Sequence, residues 1–161
     1  MLFRSKTNLL FKNRSEFLKL LRHDIALLVK KAQSKGMIPC VRLNGTSDLG
    51  WEGIAKDIMN EFPDVQFYDY TKHPSRKLEG KTCGNYDLTY SFSAITPKPI
   101  SIKGLTNPDN SRTAVVFQKQ IDIPDTFRGW PVIDGDNTDV RHIEPKAVVV
   151  ALYAKIGRAH V

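Results

Sequence analysis

Cysteines, long apolar runs and familiar catalytic motifs are all scarce in this chain of 161 residues. Its two cysteines, Cys40 and Cys83, are too few for a disulfide framework and lack the spacing of a zinc site. The longest apolar run, 147–154, is far shorter than the ~20 residues that a membrane helix needs. Phosphate-binding glycine loops and nucleophile elbows are also absent from the sequence. We therefore expect a cytoplasmic protein without a membrane span.

Positive charge is in excess, because 24 Lys and Arg stand against 17 Asp and Glu and give a formal net charge of +7. Such a balance favours acidic partners, and nucleic acid is the usual one. The cations are spread along the whole chain, so an ordinary solvated basic surface is the alternative. The residues that a nucleic-acid interface would use are Lys19, Arg22, Lys30, Lys31, Arg76 and Lys77.

The two ends of the chain look unlike the rest of it. Residues 1–5 and 156–161 resemble translated sequencing adapters, and two such matches in one chain are not expected by chance. We therefore expect a single α/β domain over 6–155, as a metagenomic fragment of a longer parent, with non-native ends at 1–5 and 156–161. The length fits one domain with one core.

Apolar periodicity predicts alternating helices and strands. Asn13 with Glu16 three residues later is a capping pair, and helical spacing then continues to Gly36. A second helix is predicted after residue 50, with Ser47 or Asp48 as its cap. The predicted strands are 38–43, 65–70, 86–92, 113–117 and 147–154. The proline-rich stretch 96–112 is predicted to be irregular.

Strands separated by helices indicate parallel pairing through right-handed crossovers. Five strands are too few for the closed eight-stranded TIM barrel. The predicted fold class is therefore α/β: either a partial (β/α) barrel, TIM-barrel-like in part, or a small open, mostly parallel sheet of about five strands with flanking helices.

Polar clusters follow three apolar runs, at 44–48, at 69–72 and at 134–142. Ligands of parallel sheets bind on the loops that follow the carboxyl ends of the strands. We therefore expect these clusters to form one rim that binds a small polar or anionic ligand. The predicted ligand-binding residues are Arg42, Asn44, Asp48, Lys72, Arg76, Ser91 and Arg141.

Several of these residues have two interpretations. Arg42 lies within a strand, where an unpaired charge is costly, so we expect it to pair with a carboxylate such as Asp69. That pair is either structural or holds an anionic substrate bidentately. Asp48 is either a helix cap or a catalytic residue. The catalytic candidates are Asp69, Asp134, Asp136 and His142, with His142 as a general acid or base.

The acidic run 134–139 is the candidate for a metal site. Asp134, Asp136 and Asp139 could hold magnesium or manganese. Their spacing is similar to a calcium loop, but Asp139 replaces the required glycine and Pro145 the required glutamate, which excludes an EF-hand. The alternative is a tight Asp-Gly turn with backbone hydrogen bonds to its carboxylates.

Three long strings, 41–48, 67–72 and 132–142, resemble the gene product 88 family of phages and plasmids, and the resemblance covers nearly all of 6–155. That family has no established activity. The resemblance implies a cysteine-rich segment upstream of this fragment, a layout similar to radical-SAM enzymes at the level of fold. An iron–sulfur cluster is accordingly expected only in the intact parent, and the fragment is expected to be inactive. Between Ser93 and Arg112, prolines stand where the family pattern has a helix.

Two function classes follow from these observations. The first is a phage or plasmid protein whose strand-end rim binds a small polar or anionic ligand, with a metal or iron–sulfur enzyme as the parent. The alternative is a non-enzymatic accessory protein that binds nucleic acid through its cations. A structural module without a ligand is a third interpretation, and the sequence leaves the cofactor of this chain itself unknown.

Overall fold

The computed structural model describes residues 2–73, 76, 83–92, 112–118, 121 and 123–153, with side chains from residue 6 onward. Within these residues the helices are α1 (Leu2–Lys12), α2 (Arg14–Gln33), α3 (Trp51–Ile54) and α4 (Lys56–Glu61), and a 3-10 helix spans Arg141–Ile143. The strands are β1 (Cys40–Val41), β2 (Gln66–Thr71), β3 (Tyr86–Ser91), β4 (Thr113–Phe117), β5 (Thr126–Phe127), β6 (Trp130–Asp134) and β7 (Val149–Tyr153). The segment predicted to be irregular lies, except for Arg112, outside the described residues.

Helix α2 begins where the capping pair predicts. The side-chain oxygen of Asn13 accepts a hydrogen bond from the backbone N–H of Glu16 at 3.2 Å. The helix ends shortly before Gly36, whose φ of +61° is a conformation that glycine adopts without steric strain. Helix α1, which precedes Asn13, was not predicted. No helix among the described residues is long and apolar enough to cross a membrane.

The second predicted helix is two short helices instead of one. Ala55, with φ of −135°, separates α3 from α4. The residue before α3 is Gly50, which offers no side-chain cap, so the prediction of Ser47 or Asp48 as the cap is wrong. Both of those side chains bind elsewhere in the structure, as described below.

The sheet is open and mostly parallel, in the order β1-β2-β3-β4-β7-β6-β5. All neighbours are parallel except β5 and β6, which form a hairpin. Its turn residues, Arg128 and Gly129, both have positive φ, as a type I′ turn requires. The predicted α/β class with an open parallel sheet is confirmed, and the two additional strands are those of the hairpin.

Two of the predicted strands are shorter than expected. The strand predicted over 38–43 pairs only at Cys40–Val41. The strand predicted over 147–154 begins at Val149, because Ala147 has a φ of +57° that extended pairing does not allow.

The two faces of the sheet have different coverings. Along β2, Phe67, Asp69 and Thr71 are buried on the face that the helices cover, which we call the helix face. Tyr68 and Tyr70 alternate with them and point to the opposite face. Residues 135–147 cross that opposite face between β6 and β7, and we call it the loop face.

The main apolar core fills the helix face. Its buried members come from all four helices and from β2 and β3, and they include Leu10, Ile25, Trp51, Ile58, Met59, Phe67 and Leu88. A smaller core on the other half of the sheet contains Ala114, Val148 and Val150. Burial of apolar area stabilises a fold by about 25 cal/mol per Å², so the larger core contributes more of this stabilisation than the smaller one.

Candidate functional site at the carboxyl ends of β1 to β3

A connected set of polar side chains lies on the helix face, below the carboxyl ends of β1 to β3. We call it the helix-face cluster. It consists of Asn44, Asp48, Glu52, Asp69, Arg76 and Tyr86. Three of its members, Asp69, Tyr86 and Asn44, are almost completely buried, so the hydrogen bonds among them are shielded from water.

Asp69 is the centre of this cluster and is 1% exposed. Its carboxylate accepts hydrogen bonds from the backbone N–H of Asn44 at 2.8 Å and from the Tyr86 hydroxyl at 2.9 Å. Burial raises the pKa of Asp69 to about 6, while these two donors oppose the shift. Burial, and then the nearby Asp69 charge, raises the pKa of Tyr86. Asp69 can therefore change its protonation state near neutral pH.

Arg76 joins this buried centre to the rim. Its guanidinium donates to both carboxylate oxygens of Glu52 at 2.8 and 2.7 Å and to Asp48 at 2.6 Å. It also donates to the Tyr86 hydroxyl at 3.2 Å. Arg76 was predicted to bind a ligand, but its donors are already used by two carboxylates and a phenol. Its role in this arrangement is to hold Asp48 and Tyr86 in place.

Ser47 and Asp48 are used within the loop that follows β1. The Ser47 hydroxyl donates to the side-chain oxygen of Asn44 at 2.8 Å, and the Trp51 indole N–H donates to the same oxygen at 2.9 Å. Asp48 accepts from the backbone N–H of Lys72 at 2.7 Å. The loops after β1 and β2 are thus linked directly, as neighbouring parallel strands allow.

A cavity of about 220 Å³ opens at this rim. We call it the rim cavity; it is lined by Thr46, Ser47, Asp48, Tyr70, Thr71, Lys72 and Ser91. Three of the predicted ligand-binding residues, Asp48, Lys72 and Ser91, therefore share one cavity although they come from three separate segments of the chain. Two other predicted residues, Asn44 and Arg76, support its wall from behind.

Arg42 does not pair with Asp69, and that prediction is wrong. The Arg42 guanidinium lies 4.9 Å from the centre of the Tyr70 ring and donates to the backbone oxygen of Asn44 at 3.1 Å. Tyr70 and Asp69 are adjacent in β2 and point to opposite faces of the sheet. A cation stacked on an aromatic ring is stabilised without a carboxylate.

The acidic run after β6 lies far from the rim cavity. The sheet order places three strands between β2 and β6, so the ends of these two strands are roughly 19 Å apart at ~4.8 Å per strand step. Asp134 accepts from the backbone N–H of Asp136 at 2.9 Å, and Asp136 accepts from that of Tyr153 at 3.3 Å. The prediction of a single rim that includes Asp134 and Asp136 is therefore wrong.

The proposed metal site is also not assembled by this run. Among the described residues, no three His, Cys, Asp or Glu side chains lie close enough together to hold a metal ion. Asp139 is exposed, and Asp134 forms a turn with hydrogen bonds from the backbone to its carboxylate, which was the alternative interpretation.

A second polar cluster lies on the loop face, and we call it the loop-face cluster. It consists of Asp87, Arg112, Arg141 and Glu144. Arg112, 1% exposed, donates to both oxygens of Asp87 at 2.8 Å and to the backbone oxygens of His142 and Glu144. This cluster ties residues 142–144 to β3 and β4.

Arg141 is part of this cluster and cannot act as a ligand-binding residue of the rim. It is 0% exposed, and it donates to Glu144 at 2.5 Å and to the backbone oxygen of Gly135 at 2.6 Å. Burial raises the pKa of Glu144, although the Arg141 charge opposes this. The predicted contact between Arg141 and a ligand is replaced by internal hydrogen bonds that hold the loop.

His142 lies beside Cys40, which is 102 residues away in the chain. The Cys40 sulfur is 3.8 Å from Nδ1 of His142, and the Tyr68 ring lies 5.9 Å from the imidazole, centre to centre. Burial raises the pKa of the Cys40 thiol and lowers that of His142. Both shifts favour the neutral forms of these groups, which lie on the opposite face of the sheet from Asp69.

A family model described as Gene product 88 matches residues 4–160. The chain belongs to the gene product 88 family. No curated protein and no solved structure matches it. The name of the gene product 88 family denotes no reaction, so the chemistry of this member is argued from the geometry of its own residues.

The residues of this gene product 88 protein do not fit an iron–sulfur cluster. Such clusters are held by about four thiolates, and the chain has two cysteines. Cys40 lies beside His142, whereas Cys83 is buried at the start of β3 with its sulfur 4.0 Å from the backbone oxygen of Lys56.

Several members of the two clusters were not predicted. Glu52 and Tyr86 were assigned only to a helix and a strand, and Arg112 only to the edge of an irregular segment. Their partners lie 17 to 32 residues away, so no local pattern indicates them. An isolated charged residue beside an apolar strand, as at Arg112, is the one sequence signal that could have indicated a buried ion pair.

The cations of the nucleic-acid alternative are only partly available. Arg22 donates to Glu61 at 2.8 Å, and Arg76 is bound to Asp48 and Glu52. The lysines of α2, Lys19, Lys30 and Lys31, are exposed, while Lys77 lies outside the described residues.

Proposed function

We propose that the rim cavity binds a small polar ligand that carries an anionic group. The observation that supports this most directly is the convergence of Lys72, Asp48 and Ser91 on one cavity at the carboxyl ends of β2 and β3. Four further lining residues, Thr46, Ser47, Tyr70 and Thr71, carry hydroxyl groups. A cation surrounded by hydroxyl groups is suited to a phosphate or a carboxylate.

The charges around the cavity favour an anion. Asp48 is the one acidic residue among its described lining, and it already accepts from Arg76 and from the backbone N–H of Lys72. Asp48 shares the Arg76 guanidinium with Glu52, so Arg76 offsets only part of its negative charge. The Lys72 ammonium, in contrast, has no carboxylate partner among the described residues, so its charge is available to a ligand.

The size of the cavity limits the ligand. Sites for drug-sized molecules occupy about 300–1,000 Å³, and the rim cavity of about 220 Å³ is smaller. We therefore propose a ligand no larger than a sugar phosphate or a short dicarboxylate. Asp69, with its pKa of about 6, lies below the cavity and gives binding a source of pH dependence.

Titration with inorganic phosphate tests this proposal. At low salt we expect the backbone amide signals of Thr46, Ser47, Lys72 and Ser91 to shift in NMR spectra. Lys72→Gln should weaken binding about tenfold, because a hydrogen bond to a charged group contributes about 1.5–3 kcal/mol. Lys19→Gln, which removes an exposed lysine of α2, is the matched control and should leave binding unchanged.

Equal weakening by Lys72→Gln and Lys19→Gln would contradict the proposal, because it would indicate a general effect of net charge. The same protein should be titrated with a single-stranded oligonucleotide. Binding that depends on the α2 lysines and falls steeply with salt would support the nucleic-acid alternative instead. The phage or plasmid origin and the cytoplasmic location expected from the sequence also remain proposals.

A further inference from the structure

A second and larger cavity, of about 400 Å³, lies between α1 and the loop that follows β1. We call it the α1 cavity. It is lined by Lys6, Thr7, Leu10, Phe11, Phe17, Arg42, Leu43, Gly45, Thr46, Ser47, Leu49 and Trp51. Thr46 and Ser47 also line the rim cavity, so these two residues form the wall between the two sites. Its volume lies within the range of small-molecule sites.

The lining of the α1 cavity is mainly apolar and partly aromatic. The Phe17 and Trp51 rings are stacked, with their centres 6.1 Å apart and an angle of 23° between their planes. The indole N–H of Trp51 already donates to Asn44, so the ring offers only apolar surface to the cavity. Such a lining favours a ligand with a flat apolar body.

The exposed Phe11 side chain is a second indication that the α1 cavity binds a ligand. Its side chain is 71% exposed at the edge of the cavity. A single exposed aromatic residue is ordinary, but this one adjoins a cavity that already contains two other aromatic rings.

The charges of the α1 cavity are all of one sign. Lys6 and Arg42 line it, and its described lining contains no Asp or Glu. The Nε of Arg42 is bound to the backbone oxygen of Asn44. The two terminal nitrogens of the guanidinium have no hydrogen-bond partner among the described residues and remain available as donors.

We propose that the α1 cavity binds an amphipathic aromatic anion, with its rings against Phe17 and Trp51 and its anionic group on Arg42 and Lys6. Charge complementarity selects an anion, and the stacked rings select an aromatic body. This site does not depend on the function proposed for the rim cavity, because the cation of the rim cavity is Lys72 and not Arg42 or Lys6.

Two fluorescent probes with the same ring system test this inference. 8-Anilinonaphthalene-1-sulfonate carries a negative charge, and N-phenyl-1-naphthylamine is its uncharged counterpart. We expect Arg42→Gln to weaken binding of the sulfonate about tenfold and to change binding of the neutral probe less than about twofold. Arg22→Gln, at an exposed position of α2, is the matched control and should change neither.

Energy transfer locates the bound probe. The chain has two tryptophans, so Trp130→Phe leaves Trp51 as the sole donor. Excitation of Trp51 should produce emission from the bound sulfonate. Lys72→Gln should leave this signal unchanged although it weakens phosphate binding, so failure of one proposal is distinguishable from failure of the other.

The inference would be overturned by an equal loss of binding of both probes in Arg42→Gln, by no loss of sulfonate binding in that variant, or by no energy transfer from Trp51. Since Arg42 also stacks on Tyr70, its replacement could unfold the protein, and urea unfolding should be measured in parallel. Lys6→Gln, at an exposed position of α1, gives a second test that does not disturb the core. It should weaken the sulfonate alone, by about threefold, and equal binding by Lys6→Gln and the parent chain would also contradict the proposal.

Discussion

The helix-face cluster and the loop-face cluster both bury carboxylates, but they hold them in different ways. Asp69 of the helix-face cluster receives its hydrogen bonds from neutral donors, an amide and a phenol. Asp87 of the loop-face cluster receives two from the guanidinium of Arg112. Burial raises the pKa of Asp69 to about 6, whereas Asp87 is paired with a full positive charge.

This difference matches the different surroundings of the two clusters. The helix-face cluster adjoins the rim cavity, so a ligand there would be sensed by a group that titrates near neutral pH. The loop-face cluster binds the backbone oxygens of residues 142 and 144 and fixes the loop over the sheet. We therefore place the proposed ligand beside the first cluster and assign structural stabilisation to the second.

The largest expected effect is on the loop-face cluster. Arg112→Met leaves the Asp87 carboxylate and two backbone oxygens without their donor, and we expect it to lower the free energy of unfolding by about 3–5 kcal/mol. Arg22→Met is the matched control and should cost far less, because the side chains of the Arg22–Glu61 pair are 41% and 47% exposed. Urea unfolding measures both; similar losses would mean that Arg112 does not hold the loop.

The next effect concerns the helix-face cluster and depends on pH. The pKa of Asp69 in the folded protein, about 6, lies above its value of 3.8 in an unfolded chain. Between these values the folded state binds a proton that the unfolded state has lost, so this contribution to stability is complete below pH 3.8 and is lost as pH rises through about 6. We expect a loss on the order of 2–3 kcal/mol over this window.

Asp69→Asn should remove this dependence, and Asp64→Asn, at an exposed position, should retain it. The free energy of unfolding of each variant and of the parent chain should be measured between pH 3.8 and about 6. The difference between variant and parent isolates the contribution of Asp69 to the pH dependence of stability. A slope that persists in Asp69→Asn would show that another group is responsible.

A smaller effect is expected at Gly135, where the loop begins to cross the loop face. A Cβ atom there would meet Val150 Cγ1 and would lie 2.9 Å from the backbone oxygen of Ala151. Gly135→Ala should cost about 1–3 kcal/mol, because the sheet and the loop would have to separate. Gly53→Ala in α3 meets no atom within 4 Å and should instead stabilise the protein by about 0.5–1 kcal/mol. Loss of stability in both variants, measured by thermal unfolding, would contradict this reasoning.

The smallest net effect is expected for the Arg141–Glu144 pair. Arg141 Nε, Glu144 Oε2 and Thr89 Oγ1 are buried without a hydrogen-bond partner among the described residues. Since an incompletely bonded buried ion pair contributes little net stability, Arg141→Met with Glu144→Met should lie within about 1 kcal/mol of the parent chain. Arg141→Met alone should cost more, because Glu144 would stay buried without its partner. Equal losses of stability for the single and the double variant would contradict this expectation, because they would show that leaving Glu144 buried without its partner adds no cost.

The half of the sheet nearest α2 was the more predictable half. Asn13, Glu16 and Gly36 mark the limits of α2 through local hydrogen bonds and backbone conformation, which depend only on neighbouring residues. The loops after β1 and β2 meet because consecutive parallel strands usually pair, and this places Asp48 beside Lys72. The meeting of these two loops was therefore predictable.

The other half was less predictable because its strand order does not follow the chain. β7 inserts between β4 and β6. Asp134 and Asp136, which the sequence analysis placed on the same rim as Asp48 and Lys72, therefore lie far from it. The alternation of side chains along β2 likewise separates Asp69 from Arg42, which stacks on the neighbouring Tyr70. The face of the sheet to which a side chain points decides which residues it can contact. That face depends on the register of the strand and not on its composition.

The sequence alone determined the α/β class, the capped helix α2 and the polar loops at the ends of β1 and β2. These features depend on the spacing of apolar residues and on turn-forming residues, and both act over only a few positions. Only the tertiary structure decided which polar side chains meet: Arg76 with Asp48 and Glu52, Arg112 with Asp87, and Cys40 with His142. Such pairs join segments that are 24 to 102 residues apart, and the order of strands in the sheet, together with the face that each side chain occupies, brings them together.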